Sequence, residues 1–357
     1  MESIVASVAI GLGNKKELVF DAVEKAMNLA SWKKYVKGET VLLKTNAVWD
    51  KVYPCAVTSP MVLEGVLRII KNYFKPKKII IADTDTAAMM HTDISFKILG
   101  IDKLAKKYNA ELVSLTRTKF KVIPFDGTVL NHLKVSEVLL AADSIVTLPI
   151  MKTHGLSGLT FAIKNQWGCI HDMRHNFHLV LAQALADVNK YFSNKLRFAV
   201  GDAILAMEGT GPKTGTPVEI GHIFASHDLV AMDALAADVM GYKHSEVPTI
   251  RTCEKNGIGT SHYKLVGDPP PMLNFKRPSK RQMVFFTEMA LRRMGPQIEW
   301  FLFKTPILHF FRLAAKIYND LWFYLFAKQR ADTVMRTRWG QMWYCYVSHN
   351  EKKRKIG

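Results

Sequence analysis

The chain has 357 residues, 48% of them hydrophobic, with a formal net charge of +18 and four cysteines. That hydrophobic share excludes a disordered or fibrous chain, and the length suggests about two domains. Cys55, Cys169, Cys253 and Cys345 form no CxxC pair, so neither a zinc ribbon nor an iron–sulfur cluster is expected, and reduced thiols in a cytoplasmic setting are. The N-terminus has no basic stretch ahead of its apolar part, which argues against a signal peptide. No charge-free run exceeds 12 residues, short of the roughly 18 needed for a spanning helix.

In chain order, "SIVASVAIG" (3–11) reads as a strand, and residues 15–31 as a helix with Val19, Val23 and Met27 on one face. "ETVLLKTNA" (39–47) is a buried strand ending at Lys44-Thr45-Asn46. Residues 58–74 open with Pro60 in a first helical turn and continue with Val62, Val66, Ile69 and Ile70 at helical spacing. "KKIIIADTDT" (77–86) is a strand ending in two carboxylates, Asp83 and Asp85. "AADSIVTLPIMKTHG" (141–155) is another strand, ending in Lys152 and His154. "LRFAVGDAIL" (196–205) ends near Asp202, and residues 222–242 give a short strand, a turn and a helix finishing at Gly241.

Continuous apolar strands alternating with amphipathic helices define an α/β class with a mainly parallel sheet flanked by helices. Ligands bind outside the carboxyl ends of such strands. Lys44, Asn46, Asp83, Asp85, Lys152, His154, Asp202 and Glu208 are therefore expected to converge on one crevice.

The residue types suggest what the crevice does. Lys152 and His154, two apart in extended chain, point to one side and suit holding an anion and moving a proton. A desolvated lysine is also a nucleophile. The blander alternative is a solvated lysine and a histidine bonded to backbone. Lys164 and Asn165 follow closely, and Gly155, Gly158 and Gly168, with Thr160 between, let backbone approach a ligand. His171, His175 and His178 lie four and three apart; without an HExxH partner motif a closed zinc site is not expected, and the readings left open are contact with substrate or phosphate by His175 or His178 together with Arg174, and polar side chains that simply face water. Asp83 and Asp85, joined by Asp202, are candidate ligands for a divalent cation, with capping of the next helix as the alternative. "MEGTGPKTGTP" (207–217) is a tight loop in which Gly209 and Gly211 offer an anion nest and Glu208 an acid, base or cation ligand, with a purely structural turn as the alternative. Asp228 is expected to cap the helix after it. Asp233 is less readily explained that way.

Several separated motifs resemble the domain of unknown function 362 family: "KTN" (44–46), "TSP" (58–60), "IADTDT" (81–86), "LPIMKTHGLSGLTFAIKNQWGCI" (148–170), "RHNFH" (174–178), "AVGDAILAMEGTGPKTGTP" (199–217) and "ASHDLVAMDALAADVMG" (225–241). The likeness covers roughly residues 1–245. It implies an α/β domain without a defined general activity. Many members of that family carry iron–sulfur cysteines, which this chain lacks. A cofactor held through lysine and histidine, as in nickel-pincer racemases, is a third reading, and no motif here matches that family.

Residues 268–357 differ from the rest. They hold 17 Lys+Arg against 6 Asp+Glu, a net +11, and 17 of the 37 aromatics. "DPPPMLNFKRPSKR" (268–281) reads as a linker, so the expected units are an α/β domain at 1–267 and a helical, basic and aromatic extension at 268–357. Its helical patterns break at Pro296 and Pro306, and Lys304, Arg312, Lys316 and Lys328 recur too often for a helix in hydrocarbon. They fit helices lying on an anionic membrane surface, the inner face for a cytoplasmic protein. The alternative is a helical cap on the α/β unit. Nucleic acid is the least supported partner, since no binding motif accompanies the charge.

The expected function is thus binding of, or catalysis on, a small anionic substrate in a strand-end crevice. Lys152, His154, Lys164 and Glu208 would be the reacting groups, and Lys44, Asn46, Thr160, Asn165, Arg174, His178, Gly209 and Gly211 the binding groups. A non-catalytic or redox-accessory protein attached to the membrane surface is the second expectation.

Overall fold

The computed structural model of the chain describes residues 3–86, 89–278 and 283–347. Its strands are β1 (Ser3–Ala9), β2 (Thr40–Lys44), β3 (Lys78–Asp83), β4 (Glu111–Ser114), β5 (Phe120–Pro124), β6 (His132–Ser136), β7 (Ser144–Thr147), β8 (Ile150–His154), β9 (Gly158–Thr160), β10 (Leu196–Glu208), β11 (Thr216–Ser226) and β12 (Tyr263–Gly267). The main sheet runs β12-β1-β11-β10-β7-β2-β3-β4, with β8 and β9 branching from β10, while β5 and β6 form a separate hairpin. Pairing is parallel from β10 through β7, β2 and β3 to β4, and again between β12 and β1; β11 is antiparallel to both its neighbours. The fold is the expected α/β class with a mostly parallel sheet and a helical C-terminal region.

Val41, Leu42 and Leu43 of β2 and Ile79, Ile80 and Ile81 of β3 are buried in consecutive positions, as strands covered on both faces must be. One face packs on the helices Glu17–Leu29 and Pro60–Ile69, the other on Leu181–Phe192 and Leu229–Met240.

The segment 141–155, read as one strand, is two. Pro149 has no N–H to give the ladder, so β7 stops at Thr147 and β8 restarts at Ile150. The short strands read at 196–205 and 222 onward are one long antiparallel hairpin, β10–β11, with the glycine-rich loop at its tip.

The extension docks on the α/β unit. Trp339 and Trp343 are fully buried among residues of the first two helices and the sheet. Losing either indole would cost about 3–5 kcal/mol. The presumed linker runs along the unit: Ala9 N–H donates to Asp268 (3.1 Å), and Leu273 and Phe275 N–H donate to the Val239 and Met240 carbonyls (2.9 and 3.0 Å). The terminal run "EKKRKIG" lies outside the described residues.

Candidate functional site

The parallel register sets Lys44 against Ala82, so Lys44 and Asp83 leave neighbouring strands side by side. Lys44 Nζ donates to Asp83 Oδ1 at 2.5 Å and to the Thr45 carbonyl at 2.7 Å. Asp83 also accepts from Thr45 Oγ1 (3.0 Å), Ala47 N–H (2.6 Å) and Thr84 N–H (2.8 Å). A Cβ at Gly168 would come within 2.9 Å of Lys44 Cε and Nζ; glycine there lets the backbone close over the pair.

The next lysine has no carboxylate. Lys152 Nζ, at the end of β8, donates to Asn46 Oδ1 (3.1 Å) and the Ala56 carbonyl (2.9 Å). Asn46 donates to Asn165 Oδ1 (2.9 Å), and Asn165 to Thr147 Oγ1 (2.8 Å). Burial, with Lys164 next in weight, pushes the Lys152 amine down to about 7.

His154 Nδ1 accepts from the N–H groups of Leu156 (3.2 Å) and Ser157 (3.3 Å). The bland reading of a histidine bonded to backbone therefore holds, but it has a chemical consequence. Nδ1 is used as an acceptor, so Nε2 carries the proton. Burial, then Lys164, holds the imidazole well below its ordinary pKa and neutral.

Lys164 stands on the one-turn helix Ala162–Asn165, whose first N–H groups are held by Asp233: Ala162 N at 2.6 Å and Ile163 N at 3.3 Å. Asp233 thus caps a neighbouring helix, while Asp228 caps its own through Val230 and Ala231 N–H (2.8 and 3.1 Å). Among the described residues Lys164 has no hydrogen-bond or ion-pair partner. Burial and then Arg174 push it down to about 8.

The tip of the β10–β11 hairpin adds Lys213, whose Nζ rests 2.8 Å from Met90 Sδ; burial pushes it down to about 7 despite Asp50 and Asp320. A Cβ on Gly211 would sit 2.0 Å from the Thr153 carbonyl oxygen, so only glycine lets the tip lie against β8. Arg174 donates to the Asp85 carbonyl. His178 Nδ1 lies 2.9 Å from Glu288 Oε1, and Arg292 Nε lies 3.0 Å from the same oxygen. Burial works against the Glu288 charge, but the His178 hydrogen bond and the surrounding cations hold the carboxyl at about 2. Burial pushes His175 down to about 3.

These groups face one cavity of about 490 Å³. It brings together Lys44, Asn46, Asp83, Lys152, His154, Thr160, Lys164, Asn165, Arg174, His178 and Gly211 of the expected residues. Asp85, Asp202, Glu208 and Gly209 do not line it. Asp85 accepts from Thr92 N–H (2.8 Å) and caps the helix Thr92–Ile98. Asp202 is buried on Ser59 and Ile204 N–H (2.7 and 3.1 Å), and burial pushes it up to about 6. Glu208 accepts from Lys276 N–H (2.9 Å), and Gly209 N–H donates to the Lys276 carbonyl. Of the expected cation set Asp83, Asp85 and Asp202, only Asp83 lines the cavity, and each of the three carboxylates accepts hydrogen bonds from backbone N–H groups near it. Among the described residues, the metal-capable donor atoms that approach within 4.8 Å belong to His175, His178 and Glu288.

Sequence reasoning missed the wall supplied by the extension: Glu288, Ala315, Tyr318 and Asn319. It also read the loop 207–217, which carries Lys213, without placing that lysine here.

Residues 41–238 match the model of a domain of unknown function (DUF362), and the chain belongs to that family. A curated relative, a thylakoid-associated protein of Synechocystis sp., is 30% identical over 149 residues, which is 39% of this chain and 46% of the relative. The match thus spans less than half of that protein. Two solved structures are distantly similar. The lactate racemase apoprotein from Thermoanaerobacterium thermosaccharolyticum shares 14% identity at a TM-score of 0.39, over 71% of this chain and 57% of that one. A protein from Thermotoga maritima shares 13% at 0.36, over 56% and 53%. Both are too distant to bear on chemistry. No helix among the described residues is long and apolar enough to cross a membrane.

Proposed function

We propose that the protein binds a small anionic ligand, carrying phosphate or carboxylate, in the strand-end cavity, and moves a proton to or from it. The observation that carries this reading is the unpartnered Lys164, which shares the cavity with Lys152, Lys213 and Arg174. Asp83 is committed to Lys44, and Glu288 to His178 and Arg292. That leaves three lysines with no carboxylate in hydrogen-bond reach, and buried cations of this kind are stable only when paired. An anion supplies the missing charge. Lys152, pushed down to about 7 before binding and charged beside the anion, is then the proton donor, and neutral His154 offers the ligand a hydrogen bond from Nε2–H.

The test is calorimetric titration of the full chain with inorganic phosphate and with malonate, alongside Lys152→Met, Lys164→Met and His154→Ala. Binding should disappear in the lysine variants while circular dichroism stays native. Unchanged binding of both anions in all three variants would sink the assignment.

Attachment to a membrane surface is a second reading. It is favoured by the row of large apolar side chains that the helix Leu308–Trp322 and its continuation leave open to solvent.

A further inference from the structure

The helix Leu308–Trp322, prolonged by the turn Phe323–Ala327, has two unlike faces. The inner face is fixed to the α/β unit. Leu308 and Phe323 are buried, Phe323 packs edge-on to Trp49 at 5.4 Å, and Asp320 pairs with Lys51 at 3.2 Å. The outer face carries Phe310, Leu313, Ile317, Leu321, Tyr324 and Leu325, all exposed, with Phe310 at 77% and Leu325 at 69%. Their spacing is that of an amphipathic helix's apolar stripe, which ordinarily has a partner. Trp300 and Phe301 of the preceding helix Pro296–Phe303 extend the exposed apolar surface. Monomeric proteins rarely leave so many large apolar groups contiguous and open.

Charge identifies the occupant. Between residues 293 and 330 there are six Lys or Arg and two Asp or Glu, and Arg293 and Lys304 are exposed beside the aromatics. Apolar side chains interleaved with cations, on helices too short and polar to span, match an anionic bilayer surface, where the rings enter the headgroup layer and the cations meet phosphate.

Tyr318 joins this face to the cavity. It lines the cavity and is also 48% exposed, so it stands at the mouth. Ile317 and Leu321 of the stripe are its neighbours on the same helix, while Ala315 and Asn319 face inward with it. The roof of the cationic cavity is therefore the element that carries the apolar face.

We propose that this face seats the protein on an anionic bilayer and that the cavity takes its ligand from there: an amphiphile with an anionic head. The proposal rests on the anion-binding reading of the cavity. The head occupies the space among Lys152, Lys164 and Lys213, and the apolar part leaves past Tyr318 onto the stripe.

Two measurements on the full chain test this. The first is flotation with vesicles of phosphatidylcholine alone or with added phosphatidic acid. The protein should float only with the anionic vesicles, and Ile317→Glu with Leu321→Glu should abolish flotation while leaving phosphate binding intact. No flotation overturns the docking, as does a dimer that the same double variant dissolves, since a second copy would then be the occupant. The second is titration with two soluble probes, glycerol 3-phosphate and dihexanoyl phosphatidic acid below its micellar concentration. The acylated probe should bind more tightly by roughly tenfold, what burial of about two methylenes gives, and Tyr318→Asp should remove that advantage. Equal affinity for the two probes overturns the amphiphile but leaves the anion site standing. If neither binds, the reading of the cavity itself falls.

Discussion

Tyr346, in the last described turn, donates its phenolic hydrogen to Glu64, a buried carboxylate 282 positions earlier in the chain. Glu64 also accepts from Lys107, from Tyr108 at 2.9 Å and from Lys16 at 3.4 Å. The last described turn of the extension is thus latched to the second helix of the α/β unit by a carboxylate that has exchanged water for four donors. Tyr346→Phe leaves a buried acceptor short of one bond and should cost about 1–3 kcal/mol, read as a lower urea midpoint with unchanged slope. Burial alone would raise the Glu64 pKa, but the bonds from Lys107, Tyr346 and Tyr108 outweigh it and the pKa is lowered. A lowered carboxylate stabilises the fold above its unfolded value and loses that contribution as pH falls through its folded value. Tryptophan fluorescence from Trp339 and Trp343 should therefore report loosening of the extension below about pH 4.5, and to a smaller extent in Glu64→Gln.

Lys152 and Lys213 lie near 7 and Lys164 near 8 in the free protein. An anion favours their charged forms, so its binding takes up protons wherever the free lysines have begun to lose them. Affinity should fall as pH rises from about 7 to 9, and calorimetry in buffers of different ionisation enthalpy should show net proton uptake at pH 8. A flat affinity over that range, with no uptake, would mean that these lysines do not meet the ligand.

Asp233 holds Lys164 in place without touching the cavity. Asp233→Leu removes both acceptors from the start of the helix Ala162–Asn165 and should cost about 1–3 kcal/mol, together with most phosphate affinity. Asp233→Asn keeps one acceptor and should fall between the two. Thermal melting and phosphate titration on the same samples separate the effects.

Gly211→Ala places a Cβ against the Thr153 carbonyl, which is backbone and cannot step aside. The hairpin tip must shift and Lys213 with it. Overpacking of this kind costs about 1–3 kcal/mol, and phosphate affinity should drop although no ligand-facing atom has been removed.

The parallel core was legible because strands buried on both faces carry consecutive apolar residues, as Val41, Leu42 and Leu43 of β2 and Ile79, Ile80 and Ile81 of β3 do. Aspartates two apart were not separable by type: Asp83 meets Lys44 because the register of β2 on β3 sets them together, whereas Asp85 lies past the strand end and caps a helix. The extension shows the same limit more plainly. Its amphipathic stripes declare an apolar face, but the same kind of residue is buried at Trp339 and Trp343 and open at Phe310 and Leu325, since what covers a stripe is decided by distant chain. Lys213 and Glu288 reach the cavity from a hairpin tip and from the extension, so neither lies near the "MKTHG" run that marks the site in sequence.

Synthesis proceeds from the N-terminus, and domains ordinarily fold as they emerge. Here residues 1–267 emerge with the seat of Trp339 and Trp343 still uncovered and with one wall of the cavity still on the ribosome. A chain released before residue 283 would expose a ready-made apolar trough, so the ligand site and the protection from aggregation are completed together, by residues 283–347.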